Sequence, residues 1–127
     1  MMQLNDLTGI IISSAIEVHK TLGGPGLLEG LYEEALTWEL VQRGIVVQRQ
    51  CEVPVVYKGE QLAYPLRLDL LIDNRIIVEV KSVATYNPIF EAQLLTYLRL
   101  MNLKLGLVIN FGEKMVKDGV HRVVNGL

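Results

Sequence analysis

The sequence predicts an α/β protein of the α+β kind: a central sheet of about four to five strands flanked by helices, in one domain over residues 1–127. Three observations carry this. Two stretches of helical periodicity open the chain. In the middle, Arg67–Ser82 (RLDLLIDNRIIVEVKS) has two apolar arms around a tight turn at Asp73-Asn74, as a β-hairpin requires. A third helical stretch then leads into Leu103–Phe111 (LKLGLVINF), an apolar run expected of a strand buried on both faces.

The elements follow in order. Met1–Leu22 predicts a first helix that Asn5 or Asp6 can cap, with Leu7, Ile10, Ile11, Ser14, Ala15 and Val18 at helical spacing. His19 lies near its C-terminal end, where a positive charge or a hydrogen bond is favourable. Gly23-Gly24-Pro25-Gly26 stops the helix. A glycine-rich loop before a helix can hold phosphate, but the Lys-Ser/Thr of a P-loop does not follow, so a plain connector is expected. Leu27–Arg43 predicts a second helix ended by Gly44, with a core stripe of Leu28, Leu31, Tyr32, Ala35, Leu36 and Leu40. Glu29 and Glu33, four apart, share one of its faces.

Ile45–Tyr57 predicts a long strand, made irregular or confined to an edge by Pro54. A turn at Lys58-Gly59-Glu60 and the stretch Gln61–Leu66 return the chain to the hairpin. Asn87 as N-cap and Pro88 in the first turn start the third helix, Ile89–Asn102. Lys114–Asp118 is an expected loop and Gly119–Val124 a last strand. Lys114, Lys117, His121 and Arg122 make a modest basic cluster, expected to be a solvated surface.

Composition narrows the partners. Half the residues are hydrophobic and the mean hydropathy is +0.32. The sheet is therefore covered on both faces, or apolar surface is buried between copies in a homo-oligomer. A net charge of −2 carries no global nucleic-acid signal, which argues against a nonspecific coat protein but not against a metal enzyme. The lone Cys51 excludes an intrachain disulfide, and no Cys/His cluster has zinc spacing. With no signal peptide and no apolar run near 18 residues, no membrane partner is expected and the cytoplasm is the default compartment.

The hairpin carries charges that need a reason. Asp69, Glu79 and Lys81 interrupt its apolar arms, and buried charges are costly unless paired or bound to a metal. Glu79 and Lys81, two apart, share a face. Asp69 joins them only if it lies opposite Glu79. That register sets Leu70 against Val78 and Ile72 against Ile76, with a three-residue loop Asp73-Asn74-Arg75. It also sets Arg67 against Lys81.

An acid followed by E-x-K resembles the PD-(D/E)XK nuclease superfamily, here Asp69 and Glu79-Val80-Lys81. Two further stretches support the match. Gly26-Leu-Leu-Glu29-Gly-Leu-Tyr32 is similar to the motif of the GxxExxY family, a branch of that superfamily. Gln93-Leu-Leu-Thr-Tyr97 resembles its Q-x-x-x-Y helix element. One departure is Phe90, where this family usually has His, so an imidazole for phosphate or metal is absent.

The resemblance implies a restriction-endonuclease-like α-β-β-β-α-β core with a mixed sheet, and a metal-dependent nuclease acting on DNA ahead of RNA. Asp69 and Glu79 are hard oxygen ligands suited to Mg²⁺ or Mn²⁺. By resemblance, the Val80 carbonyl adds a third ligand and Glu29 assists. Lys81 is expected charged, orienting hydroxide and stabilising phosphate charge. Gln93 would orient the water or Lys81, and Arg67, Tyr97 and Tyr32 would contact the substrate. The alternative is a catalytically silent module of the same fold that binds nucleic acid or a protein partner.

Overall fold

A computed structural model describes all residues, Met1–Leu127. Helices α1 (Leu4–Thr21) and α2 (Glu29–Gln42) come first. Strand β1 (Val47–Val53) is followed by a small hairpin, β2 (Val56–Tyr57) and β3 (Glu60–Gln61), then by β4 (Leu66–Ile72) and β5 (Ile76–Lys81). Helix α3 (Ile89–Met101) crosses to β6 (Leu105–Asn110), and a 3₁₀ turn (Val116–Gly119) leads into β7 (Val120–Val124). The five-stranded sheet has the order β1-β4-β5-β6-β7. Only the β5–β6 pair, joined through α3, is parallel, so the sheet is mixed, as expected.

Both faces of the sheet are covered by helices, while large apolar side chains such as Leu28, Trp38 and Tyr64 remain exposed. One core packs α1 and α2 on Leu70, Ile72, Ile76, Val78, Val80, Leu105, Leu107 and Ile109. The other packs Leu94 and Leu98 of α3 on Leu66, Leu68, Leu71, Ile77, Val108 and Val123. Strict alternation would put Leu66, Leu68, Leu70 and Ile72 on one side. Instead β4 changes face between Leu68 and Leu70, so the strand is kinked at Asp69. The residue beside it on β1, Gln50, has φ +51°, a left-handed conformation that is uncommon outside glycine. The β1–β4 pairing runs Arg49 to Leu70 and Cys51 to Leu68, skipping the Gln50–Asp69 step.

Several expectations are corrected. Gln3, not Asn5 or Asp6, stands at the N-cap of α1, with no side-chain capping bond. Leu28, the N-cap residue before α2, and Leu31 leave the core stripe and are 79% and 52% exposed, while Tyr32 in the same turn is fully buried. The long first strand is two pieces, since the chain breaks after Val53 and folds into the β2–β3 hairpin about Lys58-Gly59. Elsewhere the local chemistry holds. Gly44 takes the left-handed position after α2 (φ +80°), and the Asn87 carboxamide accepts the Ile89 N–H at the start of α3.

The ends of β5 and β6 are tied by Asn110, which is fully buried. Its carboxamide oxygen accepts the N–H groups of Val83 and Gly112, and its amide donates to the Val83 carbonyl. Gly112 lies so close that a Cβ there would strike the Val83 carbonyl. This clamp fixes the chain leaving Lys81.

Candidate active site

The hairpin register is the one that gathers the charges. Leu70 faces Val78, Leu71 faces Ile77 and Ile72 faces Ile76, around the loop Asp73-Asn74-Arg75. Asp73 and Asn74 both adopt positive φ, 53° and 56°, which Asp and Asn tolerate better than other side chains. After those three pairs β4 and β5 part. The strands continue, but the ladder does not, so their next N–H groups need other acceptors.

The two acids supply them. The Asp69 carboxylate accepts the Val80 N–H at 2.8 Å, and the Glu79 carboxylate accepts the Asp69 N–H at 2.9 Å. Each acid thus closes the split from the opposite strand. Each is bound through one oxygen, Asp69 Oδ2 and Glu79 Oε2; of the other two, Asp69 Oδ1 accepts the Gln50 amide at 3.5 Å and Glu79 Oε1 accepts no hydrogen bond. A strand residue's N–H and C=O lie on one edge. The Val80 carbonyl therefore points into the same gap as its N–H. The Lys81 carbonyl points the other way, where it accepts the Phe111 N–H.

Glu79 is 5% exposed, and burial together with the neighbouring Asp69 charge pushes its pKa up to about 8. Lys81 lowers it only in part. The lysine forms no ion pair with either acid. Its ammonium sits instead 4.5 Å from the centre of the Phe90 ring, a cation–π contact, and Phe90 is braced edge-on by Tyr86. The residue in place of the expected imidazole therefore holds the lysine. A closed Asp/Glu–Lys ion-pair network, the structural explanation of the triad, is not what the chain builds. Tyr97 is half-buried, and desolvation raises its hydroxyl pKa, with the charges of Glu79 and Asp69 adding to the rise.

The α2 carboxylate at this cluster is Glu33, not Glu29. Glu29 is exposed and takes part in none of these bonds. Glu33 is buried and accepts from Arg49 Nε at 2.8 Å and from the Gln50 amide at 2.7 Å. Both its oxygens are occupied, so it acts on Asp69 through Gln50. Gln50 and Arg49 had no sequence motif to mark them. Helical phase puts Glu33 on the buried side with Leu36 and Leu40, but it does the same for Glu29, four residues earlier.

The remaining candidates lie elsewhere. Gln93 is exposed on α3 and forms no hydrogen bond to the acids. Arg67 does not face Lys81, because the strands have parted there; it is exposed and pairs with Glu52 on β1 at 2.8 Å. Tyr32 is fully buried, stacked on Phe111 at 4.5 Å, and donates to the Gly24 carbonyl at 2.6 Å. It braces the glycine loop and is closed to a substrate.

No three His, Cys, Asp or Glu side chains converge as a ready cation cage. The donors at the split are two carboxylates and one carbonyl, a set whose chemistry fits a cation that keeps several waters, as Mg²⁺ does. Burial raises the Glu79 pKa most and the Asp69 charge adds to it; a cation at the split would offset both.

The chain matches the family model of the PD-(D/E)XK nuclease superfamily over residues 5–123. A solved structure titled "Crystal structure of SSO0001" shares the fold at TM-score 0.50 and 15% identity, covering 95% of this chain and 79% of the other. No curated protein matches it.

Proposed function

Because the chain belongs to the PD-(D/E)XK nuclease superfamily, we propose that it is a divalent-metal-dependent nuclease of the GxxExxY branch that hydrolyses phosphodiester bonds, DNA ahead of RNA. The observation that carries this is the parted hairpin, which brings Asp69, Glu79 and the Val80 carbonyl to one split, with the second Glu79 oxygen unbonded, Asp69 Oδ1 met only by the Gln50 amide at 3.5 Å, and Lys81 unpaired with either acid. Asp69, Glu79 and Val80 would hold Mg²⁺ or Mn²⁺. When bound, such an ion polarises a phosphoryl oxygen and acidifies water.

The chain's own residues do the rest. The Lys81 ammonium, held over Phe90 rather than by the acids, is available to orient the attacking water and to offset charge growing on the phosphate. Gln50, fixed by Glu33, holds Asp69 in place. Tyr97, whose hydroxyl feels the charges of both acids, is the substrate contact favoured over Arg67 and Tyr32. Gln93 reaches the reaction only if substrate draws its exposed side chain inward.

The absence of a third converging acid favours a second reading, a silent module of the same fold. One experiment separates the two: labelled DNA and RNA, single- and double-stranded, incubated with Mn²⁺ and with EDTA, beside Lys81→Ala. Wild-type cleavage in Mn²⁺ only, reduced about a hundredfold or more by Lys81→Ala, is expected, a loss of about 2.7 kcal/mol in transition-state stabilisation. Identical cleavage by both proteins would point to a contaminant and end the proposal.

A further inference from the structure

On the side of the molecule where β5 and β6 end, a groove of about 400 Å³ is lined by Lys20, Lys114 and Lys117, with His19 and the Gly23-Gly24 loop. Lys20 precedes Lys114 and Lys117 by more than ninety positions; the packing of α1 against the 3₁₀ turn brings them together. No acid lines the groove. Of the acids nearest in sequence, Glu17 lines a different depression, with Trp38, and Glu113 and Asp118 belong to neither. All three lysines are exposed and none forms an ion pair. On a chain of net charge −2, three unneutralised cations in one concavity make a local field opposite to that of the whole.

The groove is tied to the cleavage gap through the backbone. Phe111 N–H donates to the Lys81 carbonyl, and the Phe111 carbonyl lies 3.2 Å from His19 Nε2 in the groove wall. The Ser82 hydroxyl donates to the Leu27 carbonyl, and Tyr32 holds Gly24, so the glycine loop rests on the residue after Lys81. The groove and the gap thus lie at the same end of the sheet, the groove on the α1 face and the Lys81 ammonium on the α3 face over Phe90.

We infer that this groove is a phosphate-backbone site for the nucleic-acid strand whose scissile bond lies at Asp69, Glu79 and Lys81. The inference rests on the nuclease reading. Lysines, rather than a forked arginine, suit it: as mobile point charges they follow a backbone without reading bases. The gap itself is acidic and would repel a polyanion, so a strand needs a cationic hold nearby.

The test uses the full chain and a labelled oligodeoxynucleotide, with anisotropy read in EDTA from low to high KCl. The variants are Lys20→Gln, Lys114→Gln and Lys117→Gln, singly and combined; Lys58→Gln, on the β2–β3 hairpin, changes net charge as much as each single variant and is its control. We expect the triple variant's Kd to rise about tenfold or more at low salt, and the slope of log K against log salt to shrink by about two, the share of three phosphate contacts. In Mn²⁺ its loss of cleavage should fall on KM. Unchanged binding by the triple variant, an effect of Lys58→Gln equal to that of each single variant, or a wild type that binds no oligonucleotide would each overturn the groove. So would tight binding of inorganic phosphate there with no competition from the oligonucleotide. Cleavage by wild type with groove-independent binding would leave the nuclease reading standing. Groove-dependent binding without cleavage would leave the groove and remove the nuclease.

Discussion

Asp69→Asn is expected to lower Mn²⁺-dependent cleavage about a thousandfold or more, yet leave the metal-free fold as stable as wild type or more so. A thousandfold is about 4 kcal/mol of transition-state stabilisation. The stability side follows from the geometry. Asparagine keeps the carbonyl oxygen that accepts the Val80 N–H, so the split stays closed. It removes the Asp69 charge, which adds to the burial that pushes the Glu79 pKa upward. It breaks no ion pair, because Lys81 does not pair with Asp69. Had the triad been a buried salt-bridge network, the same change would cost on the order of 3–5 kcal/mol. Urea melts of both proteins in EDTA, with cleavage assayed in Mn²⁺, decide it. A destabilisation of that size would show that Asp69 is structural and would remove the metal-site reading.

The second large effect is in pH. Glu79 has a folded pKa near 8 against an unfolded value near 4.5. Below pH 4.5 both states hold the proton, and the contribution to stability is full. As pH rises from 4.5 to 8 the unfolded chain releases its proton and the folded chain does not, so stability from this group is lost. The total is on the order of 5 kcal/mol, from about 1.36 kcal/mol per pKa unit. Glu79→Gln keeps the acceptor for the Asp69 N–H and does not titrate. In EDTA its melting temperature should exceed that of wild type by a margin that widens from pH 5 to pH 8. Mn²⁺ should reverse the order, since it stabilises only the chain with both acids. Parallel pH curves in EDTA would refute the assignment of the raised pKa to Glu79.

The hairpin register was legible because two constraints agreed. The period-two apolar pattern and the three charges select one pairing, and Asp-Asn can take the positive φ that its loop needs. The face change within β4 was not legible. Leu66, Leu68, Leu70 and Ile72 look like one stripe, and only the kink at Asp69, matched by the strained Gln50 beside it, divides them between two cores. Glu29 and Glu33 share a helical face, so phase alone could not choose between them. The choice is made by where Arg49 and Gln50 of β1 meet α2, a tertiary fact. Tyr32 and Arg67 misled for a common reason. An aromatic or a guanidinium near a motif looks like a substrate contact, whereas here each is used by the fold's own polar groups. Asn110, at the end of an apolar run, gave no hint that it ties two strand ends together.

The reciprocal bonds across the split also bear on how such a chain could decay over evolutionary time. The acids that make the gap chemically useful also satisfy the N–H groups of Asp69 and Val80. A lineage freed from selection for cleavage could not simply replace them with apolar residues, since each such change would orphan a buried amide at about 1–3 kcal/mol. Asparagine and glutamine are the open exits: they silence the chemistry and keep the bonds. Saturation mutagenesis scored for folded abundance should therefore retain Asn at position 69 and Gln at position 79 while depleting Ala and Leu at both. Equal tolerance of Ala would mean that the acids are held by cleavage alone.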